Sequence, residues 1–247
     1  MAFSNGTVPA WAQDINTASD HSWVLARSVG IMGMQGGFAL LEAGSVRQAN
    51  RANIMMKNIA DMSFGMAFYM LFGYSLSFSS WSPFVGGTSL VGLRGAESHY
   101  TIFFYHFSFA ATTGTIMSGS VAGRMRFKSY VLLSIALVNL IYPCCVHWVW
   151  CPGEGWLDRL DFVDFAGAGV VHLVGGTAAL VATLILGPRT GRFPRLPKWQ
   201  ERLERRMAIL DELVCCFFAI AASKDGGPSS SKVHPTAAHA AAWPSKR

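Results

Sequence analysis

The sequence predicts an all-α, polytopic membrane protein with five transmembrane helices, its N-terminus outside and its C-terminus inside. Three observations carry that fold class. Only 14% of the 247 residues are charged, where a soluble domain averages about 25%, while 51% are apolar and the mean hydropathy is +0.32. Five stretches, at 22–44, 58–80, 101–123, 129–151 and 165–187, reach the roughly 20 residues a helix needs to cross ~30 Å of hydrocarbon. The basic residues, finally, cluster in alternate loops. This composition excludes a disordered chain. It also excludes a nucleic-acid binder, because the whole excess of +6 lies in residues 188–247 while residues 1–187 are neutral.

Residues 1–21 form a polar outer segment with Asp14, Asp20 and no Lys or Arg, which gives no cleavable signal peptide. Asn5, Gly6 and Thr7 make a glycosylation sequon on that side, with Asn5 the acceptor. The first span carries Arg27 and Glu42 near its ends, and the second carries Asp61 near its start. The remaining three contain no Asp, Glu, Lys or Arg. Runs this apolar are not surface amphipathic helices, and a soluble bundle would need polar outer faces that the sequence lacks. The fifth span stops at Gly187 and Pro188, since proline cannot continue a helix.

Orientation follows from the loops. Arg47, Arg51 and Lys57 follow span one, Arg124, Arg126 and Lys128 follow span three, and Arg189, Arg192, Arg195 and Lys198 follow span five. The other loops hold Arg94 and Arg159 among acidic residues, so every basic cluster falls on the inner side. Beyond the membrane domain at 22–187, residues 188–247 read as a basic inner tail, Pro-interrupted at first and of low complexity at its end, with a central apolar stretch too short to span. Gly30, Gly33, Gly36 and Gly37 in span one, with Gly167, Gly169, Gly175 and Gly176 in span five, allow close helix packing and imply partner helices.

Chemistry inside a bilayer is expected at its ionisable residues. His172 lies eight residues beyond Asp164, ~12 Å along a helix starting there, near the midplane. A neutral imidazole tolerates that depth, both donates and accepts hydrogen bonds, and can relay a proton; an interhelical packing bond is the other reading. Asp164, at the outer start of span five, reads as an N-cap or as a fixed charge favouring cations. Aromatic residues crowd the outer ends of spans three and four: Phe103, Phe104, Tyr105, Phe107, Phe109, Trp148 and Trp150. Many such rings are membrane belt, yet an indole face attracts a small cation within ~6 Å. His147 and the nearby cysteines lack metal-ligand spacing, and five cysteines make no disulfide framework. No nucleophile or phosphate-loop motif marks an enzyme, and no metal or cofactor is expected.

The segments MQGGFALLEAGSVRQANRANIMMKN, FGYSLSF, FSFAATTGTIMSGSVAGRMRF, IYPCCVHWVW and DFAGAGVVHLVGGTAALVATLILGPRTGRF resemble the Amt branch of the Amt/Mep/Rh ammonium transporter family, in order, from Asp20 to Phe193. The Rh branch fits less well. The resemblance implies the first inverted repeat of an eleven-helix fold, a homotrimer with one narrow pore per subunit, and ammonium and ammonia as substrate. Carried over by position, Trp150, Tyr105 and Asp164 form the outer substrate site, Phe109 is a pore gate, and His172 is the first of two pore histidines. The second gate and second histidine belong to a half this sequence does not contain. Ala49 and Gly123 depart from the family pattern, and Gly123 is expected to weaken the fold locally. The chain therefore reads as an N-terminal half with an unrelated tail. A non-transporting subunit that modulates full-length homologues, or a non-functional product, stands as the alternative.

Overall fold

A computed structural model of the chain describes residues 10–94 and 100–188, with side chains from residue 17; the Asn5 sequon and the tail lie outside them. The described residues contain helices and turns and no strand. Helix α1 covers Ala10–Ser45, α2 Arg51–Phe68, α3 Tyr74–Phe78, α4 Tyr100–Val121, α5 Phe127–Ala136, α6 Tyr142–Trp150 and α7 Val174–Leu186. One wider π turn, Tyr69–Gly73, fuses α2 to α3, a second, Leu137–Ile141, fuses α5 to α6, and a third, Ala168–Leu173, opens α7. The result is five helical rods.

Three rods are long and apolar enough to cross a membrane: Thr17–Ser45, Phe127–Trp150 and Ala168–Leu186. The other two are diluted by their sequence. Helix α4 carries His106, four threonines and several serines and glycines, and the α2–α3 rod carries Arg51, Lys57 and Asp61. Rod ends follow local chemistry. Helix α7 stops where Gly187 takes φ +70° ahead of Pro188. The turn after α4 uses Gly123 at φ +72°, a left-handed position that suits glycine, so this departure from the family pattern fits its turn rather than weakening it.

Helix α4 lies between α1 and α7, while α2 packs on α5 and α3 on α6. The polarity of α1 is inverted relative to a soluble helix. It buries Ser28, Gln35, Ala39 and Glu42 on one stripe and exposes Trp23, Val29, Leu40 and Leu41. Large apolar side chains also face outward on α5 and α7, with Leu132, Leu184 and Ile185 at 70%, 55% and 80% exposure. Water would penalise such an exterior and hydrocarbon would not. The interior is ring-rich: Tyr69, Tyr74, Phe78, Phe103, Phe107, Tyr142 and Trp150 form its largest cluster.

Polar groups pin the bundle at the end where α1 stops and α2 begins. The Glu42 carboxylate accepts from Ser118 of α4 and from Asn58 Nδ2 at 2.8 Å. Asp61 accepts from Tyr130 and, at 2.5 Å, from Ser134 of α5. Lys57 donates to the Met125 carbonyl at 2.8 Å with its ammonium 5.0 Å from the Tyr130 ring centroid, and Arg124 donates to the last carbonyl region of α7 at Gly187, 2.9 Å. At this end each rod terminus is thereby tied to another.

Candidate functional site

At the opposite end of the bundle, the start of α4, the end of α6 and the approach to α7 converge. Tyr105 and Phe109 sit one turn apart on α4, their rings 5.0 Å between centroids and nearly perpendicular at 83°. Phe109 meets Trp150 of α6 edge-on at 5.6 Å. Trp150 is 4% exposed, and its indole N–H is buried without a hydrogen bond of ordinary geometry. Tyr105, Phe109 and Trp150, three of the residues singled out in the sequence, are thus in one ring cluster.

The segment DFAGAG has a geometric explanation. The Asp164 carboxylate accepts the backbone N–H of Gly169 at 2.6 Å and of Val170 at 3.3 Å, satisfying two donors of the first turn that otherwise have no partner. A Cβ on Gly169 would sit 3.2 Å from that carboxylate, so glycine permits the approach. Gly167 stands at φ +81°, and a Cβ there would come within 2.9 Å of Val171. Ala166 is also left-handed, at φ 55°. Burial pushes the Asp164 carboxyl above its ordinary value; the Gly169 and Val170 N–H groups, His172 and the Trp150 indole pull it partly back.

This geometry revises two expectations. Asp164 does cap the helix, but from three residues ahead of Gly167, which is the residue that precedes the first helical turn. The helix consequently starts at Ala168, and His172 lies four residues inside it, ~6 Å rather than ~12 Å along the axis. Its side chain is half-buried.

Sequence reasoning passed over His106. This imidazole is 1% exposed, 4.4 Å from the Phe78 ring, 5.5 Å from Tyr105 and 6.1 Å from Trp150. The signal was present, an ionisable side chain in an apolar stretch, the same one that marked His172. His147 has a different place. Its Nδ1 and Nε2 lie 3.0 and 2.8 Å from the Ser77 and Ser82 carbonyls, and Trp148 Nε1 donates to Phe84 O at 2.6 Å. Both side chains fasten the 79–87 loop onto α6. Among the described residues no three His, Cys, Asp or Glu side chains group as metal ligands.

An apolar exterior, buried polar stripes and an aromatic-acidic cluster at the helix ends define a multi-pass helical membrane protein. The chain belongs to the Ammonium Transporter Family, whose sequence profile matches residues 22–210, past Phe193 and into the segment after α7. It is 42% identical over 190 residues to a putative ammonium transporter of Synechocystis, covering 73% of this chain and 42% of that protein. Ammonium transporter 1 member 3 of Solanum lycopersicum is 38% identical over 194 residues, covering 74% and 42%. Ammonium transporter Amt2 of Archaeoglobus fulgidus is 40% identical over 187 residues, covering 70% and 40%. Among solved structures, a sensor Amt protein superposes with a TM-score of 0.70 at 28% identity, covering 84% of this chain and 54% of that one. Mep2 of Saccharomyces cerevisiae does so at 0.63 and 25%, covering 81% and 46%. The chain spans about two-fifths of the length of these curated relatives.

Proposed function

We propose that this chain forms the first half of an ammonium conduction path, crossing the plasma membrane five times with its N-terminus outside. The observation that carries the reading is the cluster of Tyr105, Phe109 and Trp150 beside the Asp164 carboxylate. Ring faces attract a small cation, the attraction grows as water leaves, and a fixed carboxylate adds a long-range pull. Trp150, Tyr105 and Asp164 recruit ammonium from outside, Phe109 closes the passage beneath them, and the His172 imidazole takes part in moving the proton as ammonia passes inward. In a trimer of complete pores this would be transport.

A second reading is favoured by the open faces. Among the described residues nothing lies within 4 Å of where a Cβ would stand on Gly30, Gly33, Gly36 or Gly37, and His172 is only half-buried. Surfaces suited to close helix contact here meet no other described helix, which suits a subunit that joins full-length homologues and modulates them. Binding of methylammonium to the purified chain, followed by tryptophan fluorescence, tests the first reading: a saturable response is expected, and it should be lost in Trp150→Ala. No response in the unaltered chain would refute cation recruitment here. Altered methylammonium uptake by a full-length homologue co-expressed with the chain tests the second.

A further inference from the structure

Arg27 takes no part in the proposed path, yet α1 carries it past the outer site. Helices α1 and α4 run the same way, each ending near the Glu42–Ser118 hydrogen bond, which joins residues 76 apart in number. By that register Arg27 is level with Phe103, just ahead of Tyr105. Met32, little more than a turn further along α1, packs against the ring cluster that holds Phe103, Phe107 and Trp150. The Arg27 side chain is exposed, its guanidinium stands over the Trp23 ring at 5.7 Å, and it is near enough to Tyr105 to act on it electrostatically. We infer that Arg27 is a specificity-determining residue of the outer site, a fixed positive charge that selects by valence: it weakens capture of a singly charged cation and turns away doubly charged ones. The inference rests on the recruitment reading above.

A guanidinium keeps its charge whatever the pH, so the effect needs no titration. Among the described residues no carboxylate lies within ion-pair distance of Arg27, and the Trp23 ring has no net charge to cancel it. Ring faces attract any cation that reaches them, so rings alone give no preference for one charge over two. A like charge at the rim supplies that preference, because repulsion grows in proportion to the charge of the ion. Over a separation on the order of 10 Å, unit repulsion weakens binding about twofold at a water-like dielectric of ~80 and about fifteenfold at ~20. The exposure of Arg27 sets it towards the lower end, about threefold for a single charge. For two charges the repulsion doubles and the factor is squared, to about ninefold. Salt shrinks both factors, since the separation matches a Debye length of ~10 Å at ~0.1 M.

The test uses the full chain in phosphatidylcholine nanodiscs at neutral pH. Methylammonium is the singly charged probe and trimethylenediamine the doubly charged one. Half-saturation for each is read from tryptophan fluorescence. Arg27→Gln should bind methylammonium about threefold more tightly than the unaltered chain, and the diamine more tightly by a larger factor, towards about ninefold. Both gains should shrink as salt rises from ~0.01 to ~0.3 M. Arg27→Lys keeps the charge and should match the unaltered chain with both probes. Arg27→Leu should match Arg27→Gln and covers the case in which the glutamine variant does not fold. Unchanged affinity in the uncharged variants overturns the inference. So does an equal gain for the two probes, or a gain that Arg27→Lys shares, since either marks a change of shape and not of charge. Recruitment stands in all of these cases. Absence of any methylammonium response in the unaltered chain instead removes the recruitment reading itself, and this inference with it.

Discussion

Burial raises the Asp164 carboxyl while two backbone N–H groups lower it, and the balance stays on the raised side. A carboxyl whose folded value lies above its unfolded one contributes stability at low pH that is lost as pH rises through the folded value. Ionised Asp164 is therefore a net cost to the fold, retained beside Trp150. Asp164→Asn, which keeps the acceptor and drops the charge, should leave the thermal midpoint at neutral pH unchanged or raise it, the gain shrinking as pH falls. Asp164→Ala, which drops the acceptor too, should lower stability by about 1 kcal/mol. Equal losses in the two variants in a thermal-shift series would contradict this balance. At Trp150 the recruitment reading predicts an effect on substrate. In an intact-length homologous transporter Trp150→Ala should raise the half-saturation for methylammonium about fivefold or more, a loss of roughly 1 kcal/mol, with maximal flux less affected. Unchanged half-saturation in uptake would remove Trp150 from the recruitment site.

Helix ends here depend on close backbone approaches that leave no room for a side chain. A Cβ on Gly155 would stand 2.2 Å from the His147 carbonyl and 2.4 Å from that of Trp148, so Gly155→Ala must displace the loop that leaves α6. A loss of about 2–3 kcal/mol in detergent unfolding is expected; less than half of that would mean the loop yields freely. At the other end, Tyr130→Phe combined with Ser134→Ala strips both donors from buried Asp61. That should cost about 1–3 kcal/mol per lost partner, and Asp61→Asn in the same background should recover part of it by removing the unpaired charge. The elements were legible from sequence wherever a local rule decided them: the apolar runs, the stop at Gly187 and Pro188, the alternating basic loops. The site was half legible. Trp150, Tyr105, Phe109 and Asp164 stood out by type and place. That the helix starts at Ala168 did not, because it depends on the Asp164 carboxylate reaching the Gly169 and Val170 N–H groups past the left-handed Ala166 and Gly167. Nor were the partners of Glu42 and Asp61, which come from helices 73 to 76 residues away in sequence for Ser134 and Ser118.

At the scale of the whole molecule, the described residues are greasy outside and polar along their internal seams. The chain expressed alone should insert but not conduct: the His172 side chain is only half-buried, and lipid supplies its exposed part no polar partner. Robust, His172-dependent methylammonium uptake into liposomes holding only this chain would overturn that. Gly33→Ala with Gly37→Ala should leave the isolated chain as stable or slightly more so, since alanine is the better helix former and meets no atom of the described residues within 4 Å. The same pair should diminish capture of a full-length homologue; undiminished capture would place the contact elsewhere. The Asp61 pairing also sets an order of manufacture. The two side chains that hold this carboxylate, Tyr130 and Ser134, are synthesised some seventy residues after it. Until they emerge from the ribosome, the second helix carries a bare acid that hydrocarbon rejects. It must wait in the insertion channel, and nascent chains ending before Ser134 should crosslink to that channel where longer ones have moved on into lipid.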